Sequence, residues 1–147
     1  MKTEYQMENN KTNELKSCEA GVLARAVCSV LLEKKALDVR LFCVEGKTSV
    51  TDYYVNCTGR SSTQVAALSD YVSELIGDRG RDPLRVEGRA GNAWILLDYG
   101  DVIVNVFDRQ SREFYNLDKH LPEDSELDIS DIVSEIDKKF ELNKTED

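Results

Sequence analysis

Histidine and long apolar runs are scarce in this chain of 147 residues. With His120 as the single histidine, a histidine-rich metal site is excluded and a Ser-His or Cys-His catalytic pair is disfavoured. No stretch of about 18 apolar residues is present to cross a bilayer. The polar N-terminal segment also lacks the apolar centre of a signal peptide. We therefore expect a cytoplasmic protein with no membrane segment.

The cysteines show no C-x-x-C spacing; they are Cys18, Cys28, Cys43 and Cys57. Three of them lie in apolar stretches, where free thiols behave as small hydrophobic side chains. This pattern favours a structural role over a metal or redox site, and it indicates no cofactor.

Negative charge is concentrated at the C-terminal end. The formal net charge is −9, and residues 121–147 hold ten acidic and three basic residues, which leaves the rest of the chain at −2. Nucleic-acid binders gain most of their affinity from lysines and arginines that displace counterions. A nearly neutral body with an acidic tail therefore indicates little direct nucleic-acid binding and favours a basic protein partner.

The length allows one modest core and is too short for two ordinary domains. We expect residues 1–16, which are polar and without periodicity, to be disordered, and residues 17–120 to form an α/β domain. Residues 121–147 are interpreted as an acidic tail with a short amphipathic helix between Ile129 and Phe140. Removal of this tail after His120 should leave the fold and the contact with the partner largely intact.

Helical and strand patterns alternate through the domain. Apolar periodicity predicts a helix over roughly residues 18–36, and an S-x-x-Q capping box at Ser61–Gln64 predicts the start of a second one. A helical turn is expected at 112–117. Short apolar runs rich in strand formers predict strands at 39–44, 53–58, 84–88, 94–98 and 101–107.

The run Gly46-Lys47-Thr48 is similar to the end of a phosphate-binding loop. The full motif needs a glycine five residues upstream, where Leu41 stands, and a helix downstream, where a strand is predicted. Nucleotide binding at this position is therefore not supported.

The most informative stretch is an apolar hairpin at 94–107. With Tyr99-Gly100 as a two-residue loop, Trp94 pairs with Asn105, and Asp98 pairs with Asp101. One face is then purely aliphatic and must be covered by helices: Ile95, Leu97, Val102, Val104 and Val106. The opposite face carries Trp94, Leu96, Asp98, Asp101, Ile103, Asn105 and Phe107.

Two interpretations of this second face remain open. Another element could cover it, with Asn105 satisfied internally. Alternatively, it could be an open face that offers a patch centred on Trp94 to a partner, with Tyr99 at the hairpin tip as an aromatic rim. We favour the open face because the chain has too few predicted helices to cover both sides of the sheet.

Five short motifs occur in a specific order between Leu23 and Leu117. They are Gly46-Lys-Thr-Ser-Val-Thr-Asp-Tyr53, Cys57-Thr-Gly-Arg-Ser-Ser62, Val86-Glu-Gly88, Trp94-Ile-Leu-Leu-Asp-Tyr-Gly-Asp101 and Arg112-Glu-Phe-Tyr-Asn-Leu117. In this order and spacing the chain resembles the iojap, or ribosome-silencing factor, family. The resemblance implies a single α/β domain with a mixed sheet and a nucleotidyltransferase-like fold without the catalytic acids.

The resemblance also implies a function. A family member binds the large ribosomal subunit through ribosomal protein uL14, keeps the small subunit from joining it, and so represses translation. Three residues match positions that the family links to this contact, namely Trp94, Tyr99 and Tyr115. Together with the hairpin interpretation, we expect the partner-binding residues to be Trp94, Leu96, Tyr99, Asn105 and Tyr115. Because family members often form dimers, the resemblance allows a homodimer.

This sequence departs from the family pattern at two of these positions. Tyr99 stands where leucine is common, and Asn105 stands where the family usually has histidine. An asparagine amide carries no charge, so a contact that needs a charged imidazole does not carry over to this chain. The acidic segment after His120 lies outside the resemblance.

A metal-dependent nucleotidyltransferase is the alternative function, because the implied fold has that ancestry. Such an enzyme needs two or more acids that converge on magnesium. Asp98 and Asp101, opposed at the hairpin mouth, are the candidates. No D-x-D or D-x-E pair follows the Gly59-x-Ser61 element at a suitable distance. We therefore expect no enzyme activity, no catalytic residues and no metal site.

Overall fold

The computed structural model describes residues 11–146, without the side chains of residues 143–146. Its helices are α1 (Ala20–Glu33), α2 (Ser62–Gly77), α3 (Arg109–Tyr115), α4 (Leu117–His120) and α5 (Ser130–Glu146). Its strands are β1 (Leu37–Cys43), β2 (Tyr53–Gly59), β3 (Arg85–Glu87), β4 (Trp94–Asp98), β5 (Val102–Asp108) and β6 (Glu126–Leu127).

The strands form one six-stranded sheet in the order β3-β4-β5-β2-β1-β6. β2 and β5 run parallel, and every other neighbouring pair is antiparallel. The parallel pair requires a crossover, which α2 and the β3–β4 hairpin supply. The expectation of a single α/β domain with a mixed sheet is therefore confirmed.

Helices α1 and α2 cover one face of the sheet and form the core with it. The aliphatic side of the β4–β5 hairpin is fully buried there, as its alternation predicts. α2 begins at the predicted capping box, in which the Ser61 hydroxyl accepts a hydrogen bond from the Gln64 amide at 3.1 Å. The Gln64 side chain in turn accepts one from the Arg60 amide.

The cysteines of the core behave as apolar side chains. Cys28 on α1 and Cys57 on β2 are buried, and none of the four cysteines is in a disulfide. Burial raises the pKa of both thiols to about 12. At neutral pH they are therefore held in the unreactive neutral form.

The hairpin has a different register from the predicted one. Trp94 lies opposite Phe107 and Asp98 lies opposite Ile103. The Tyr99 amide donates to the Val102 carbonyl at 2.9 Å, so the loop is Gly100–Asp101. Gly100 has a φ of +92°, which suits the first position of a two-residue hairpin loop. Because the register differs by two residues, the side chains that remain in the strands keep their predicted faces, whereas Asp101 lies in the loop.

The prediction that Tyr99 lies exposed at the hairpin tip is wrong. The shifted loop places Tyr99 inside the strand pair, on the face that the helices cover, where it is 2% exposed. Burial raises the pKa of its hydroxyl. Among residues 11–146 that hydroxyl has no hydrogen-bond partner.

The expectation of disorder does not hold for residues 11–16. Leu15 is 1% exposed within the core, and the Thr12 and Leu15 amides donate to the Asp78 and Arg79 carbonyls after α2. Arg79 also forms an ion pair with Glu14. Residues 1–10, the rest of that predicted segment, lie outside the described residues.

The segment after residue 120 is packed on the domain rather than standing apart as a tail. β6 pairs with the outer edge of β1, and Ile132 and Ile136 of α5 are buried in the core. α5 also packs along α1, with ion pairs between Arg25 and Asp131 and between Glu33 and Lys139. The sequence predicted this helix correctly. Because Ile132 and Ile136 are buried, we expect its removal to destabilise the fold, in contrast to the expectation from the sequence.

Replacement of the buried tyrosine tests the hairpin register. Tyr99→Phe removes a buried hydroxyl that has no partner, so we expect the free energy of unfolding to rise by about 1 kcal/mol or stay unchanged. Tyr99→Ala should lower it by about 3–5 kcal/mol, because a large core side chain is lost. Urea denaturation measures both. A loss of stability in Tyr99→Phe as large as that in Tyr99→Ala would contradict the register.

Two matched positions on α5 test whether this helix belongs to the core. Ile136→Ala should lower the free energy of unfolding by about 2–5 kcal/mol, since it opens a cavity against α1. Val133→Ala on the solvent side of the same helix should change it by about 0.5 kcal/mol or less. Equal effects of the two substitutions in urea denaturation would show that α5 does not dock as described.

Candidate partner-binding face

The sheet face opposite α1 and α2 carries the functional candidates. Strand register places on it Trp94, Leu96 and Asp98 from β4, Ile103, Asn105 and Phe107 from β5, Tyr54, Asn56 and Thr58 from β2, and Arg40 and Phe42 from β1. Helices α3 and α4 lie over one end of this face, where α3 packs against β5 and β2. The β4 side chains on this face, Trp94, Leu96 and Asp98, are partly exposed.

Local sequence fixes where α3 and α4 begin. The Asp108 carboxylate caps α3 by accepting a hydrogen bond from the Ser111 amide at 2.7 Å. Asn116 joins the two helices in the left-handed conformation, with a φ of 48°, which asparagine tolerates better than most residues. The chain therefore turns sharply enough for Asp118 on α4 to reach the sheet.

A continuous chain of side-chain hydrogen bonds crosses the covered end of the face. The Trp94 indole Nε1 donates to Asn105 Oδ1 at 2.9 Å, and Asn105 Nδ2 donates to Asn56 Oδ1 at 3.0 Å. Asn56 Nδ2 then donates to Asp118 Oδ1 at 2.7 Å. The amide nitrogen and oxygen of both asparagines each have a hydrogen-bond partner, although both residues are fully buried.

Arg112 on α3 closes the chain. Its guanidinium donates twice to Asp118 Oδ2, at 2.7 and 3.2 Å. The same group donates to the Thr58 hydroxyl and to the Asp38 carbonyl, at 3.0 and 3.2 Å. The side chain of Arg112 is only 10% exposed. It therefore ties α3 and α4 to both β1 and β2 in a partly desolvated ion pair.

An aromatic cluster lies beside this network. The Trp94 ring is held between Phe107 and Tyr115, with centroid distances of 4.9 and 4.8 Å. Phe114 packs edge-on against Tyr115 at 5.0 Å. Phe114 is 78% exposed and Tyr115 is 47% exposed, whereas Phe107 is buried. The cluster therefore packs on the buried ring of Phe107 and exposes Phe114 and Tyr115 to solvent.

The structure brings together three of the five predicted partner-binding residues. Trp94, Leu96 and Tyr115 lie on one face and are partly or largely exposed. Trp94 and Leu96 also line a hollow of about 230 Å³ with Glu87 and Gly88. Sequence reasoning missed Phe114, although it stands beside Tyr115 in a quoted motif. Adjacent side chains of a helix point about 100° apart, which makes it hard for a short helix to bury two neighbouring aromatics.

The other two predicted residues cannot touch a partner in this conformation. Tyr99 is buried on the opposite side of the sheet. Asn105 is 1% exposed, and both ends of its amide are occupied by Trp94 and Asn56. At this end of the sheet the covered-face interpretation is therefore correct, whereas Trp94 and Leu96 remain accessible.

The two aspartates of the enzymatic alternative have different hydrogen-bond partners. Asp98 accepts from the Gly100 amide at 2.8 Å and from Arg85 at 3.1 Å. Asp101, in the loop, forms an ion pair with Arg81 at 2.7 Å. Each carboxylate is thus neutralised by a different arginine. Within residues 11–146, no cluster of His, Cys, Asp or Glu could hold a metal ion.

None of the described helices is long and apolar enough to cross a membrane.

Comparison with known proteins agrees with the motifs and the fold. The family model "Ribosomal silencing factor during starvation" matches residues 17–147. A ribosomal silencing factor of Bacillus subtilis is 35% identical over 97 residues, which cover 66% of this chain and 80% of that protein. A mouse protein named mitochondrial assembly of ribosomal large subunit protein 1 is 26% identical over 94 residues, or 62% of this chain and 41% of that protein.

Solved structures show the same architecture. A crystal structure of a Chromobacterium violaceum protein superposes with a TM-score of 0.68 at 27% identity, covering 71% of this chain and 87% of that one. The family match includes β6 and α5, beyond the motifs that suggested the relationship. The chain belongs to the ribosomal silencing factor family.

Proposed function

We propose that this protein binds the large ribosomal subunit through ribosomal protein uL14 and sterically blocks association with the small subunit. The observation that carries the proposal is the exposed aromatic cluster of Trp94, Phe114 and Tyr115, on the side of the sheet that α1, α2 and α5 leave free. The names of the family model and the relatives support a role at the ribosome.

The composition of the cluster suits a protein partner. Tryptophan and tyrosine are enriched among the residues that contribute most to interface affinity. Their rings are already packed against each other and against Phe107, so little side-chain freedom is lost on binding. Charged residues of both signs line the cleft beside the cluster, among them Arg40, Arg109, Glu113 and Glu126. The partner therefore meets a face of mixed charge.

The mechanism we propose needs no bond to be made or broken. The protein seats the exposed cluster and Leu96 on uL14, and the bulk of its helical layer occupies space that the small subunit needs. Repression of translation then follows occupancy of the large subunit, in the cytoplasm. A homodimer would leave this face free only if the two copies met elsewhere on the surface.

Sedimentation with purified subunits tests the proposal. The protein should migrate with the large subunit and not with the small one, and the fraction of joined ribosomes should fall as its concentration rises. Migration with the large subunit while joining is unaffected would contradict the steric mechanism. Absence of binding together with magnesium-dependent nucleotide turnover would favour the transferase instead.

Substitutions in the cluster locate the interface. Phe114→Ala and Tyr115→Ala should each weaken large-subunit binding by about thirtyfold, since truncation of a central interface aromatic commonly costs about 2 kcal/mol. Because both side chains are exposed, the free energy of unfolding should change by only about 1 kcal/mol or less. Pelleting at graded subunit concentrations measures the affinity.

Tyr71→Ala on α2 is the matched control. Tyr71 is similarly exposed and lies under the Lys34 ammonium, on the helical side of the protein. Its truncation should leave binding unchanged. Equal loss in Tyr71→Ala and Tyr115→Ala would place the interface away from the sheet face.

A further inference from the structure

The hydrogen-bonded chain beneath the aromatic cluster has a fixed direction. An indole N–H can only donate, and an ionised carboxylate can only accept. Trp94 stands at one end and Asp118 at the other, with two amides between them. An amide can donate from nitrogen or accept at oxygen. The donor at Trp94 and the acceptor at Asp118 therefore require the same orientation of both amides.

We propose that Asp118 is a positioning residue for partner binding: its carboxylate orients Asn56 and Asn105 so that an acceptor faces the Trp94 indole. Asn56 turns its nitrogen toward the carboxylate and its oxygen toward Asn105. Asn105 must then turn its nitrogen toward Asn56, which leaves its oxygen for Trp94. This proposal rests on the proposed function, because it takes Trp94 to be part of the binding face.

Arg112 contacts both residues that support the Trp94 side chain, directly or through one neighbour: Asp118 at the end of the hydrogen-bonded chain and Phe107 beneath the indole. It fixes the carboxylate with two hydrogen bonds and so keeps one carboxylate oxygen free for Asn56. Its guanidinium also lies 6.0 Å from the centroid of Phe107, the ring on which Trp94 packs. Arg112 therefore supports both the hydrogen bond that Trp94 donates and the ring on which Trp94 packs.

Asp118→Asn would disrupt the donor-to-acceptor order of these hydrogen bonds, although the two side chains have nearly the same shape. The new amide has one acceptor and two donors, while Asn56 and Arg112 both present donors. If its oxygen faced Arg112, Asn56 would have to reverse. Reversal of Asn56 would reverse Asn105, and two N–H groups would then meet at Trp94. Every arrangement leaves two donors opposed somewhere between Arg112 and the indole.

The chain contains one tryptophan, so its indole N–H gives one cross-peak in a ¹H–¹⁵N NMR spectrum. We expect Asp118→Asn to move this cross-peak to lower proton shift and to speed its exchange with solvent. Large-subunit affinity should fall by about fivefold or more, because an indole that has lost its acceptor is no longer held in the orientation that the partner binds. Asp118→Ala adds no donor, and Asp118 borders an open cleft. We therefore expect Asp118→Ala to be less destabilised than Asp118→Asn and to move the indole cross-peak in the same direction.

Asp101→Asn is the matched control, because it removes the same charge from another partly buried aspartate–arginine pair, away from Trp94. It should lower stability while leaving the indole cross-peak and the affinity unchanged.

The outcomes separate the two proposals. An unshifted indole cross-peak in both Asp118 variants would overturn the positioning role, whatever the binding result. A shifted cross-peak with unchanged affinity would also overturn it, because the orientation would then not matter to the partner. If the parent protein itself fails to bind large subunits, the proposed function is wrong, and the cross-peak still decides whether Asp118 orients Trp94.

Discussion

The ion pair between Arg112 and Asp118 is the interaction on which the candidate binding face depends. It ties the short helices α3 and α4 to the sheet, and these helices carry Phe114 and Tyr115. Through Asp118 it also satisfies two buried asparagines that would otherwise be costly in an apolar layer. A helix of seven residues has little stability of its own. The position of α3 must therefore come from these contacts, and they also fix the positions of Phe114 and Tyr115.

The opposite side of the protein makes this arrangement possible. α1 and α2 bury the aliphatic side of the hairpin, while α5 packs on α1 and β6 covers the edge of β1. The helices thus bury the aliphatic face of the sheet and leave the Trp94 face uncovered by α1, α2 and α5. An apolar ring that could have been buried in the core instead stays partly exposed, supported from below by Phe107 and from the side by a hydrogen bond.

Period-two alternation predicted the two faces of the hairpin correctly, because the faces survive a register error of two residues. It could not place the loop, and Tyr99 was assigned to the wrong environment because Gly100, rather than Tyr99, opens the turn. The state of Asn105 depends on Asn56 and Asp118, which are distant in sequence, so no local pattern could reveal it. Likewise, the spacing of Ile132 and Ile136 predicted a helix but not the surface on which it packs.

A cryo-electron microscopy structure of the protein bound to purified large subunits tests the central claim most directly. We expect α3 and β4 to face uL14, with Trp94, Phe114 and Tyr115 in the contact, and α1 and α5 to project into the space of the small subunit. We also expect the hydrogen bond from Trp94 to Asn105 to persist in the complex. Contact through α1 or α5, with the aromatic cluster left in solvent, would contradict the claim.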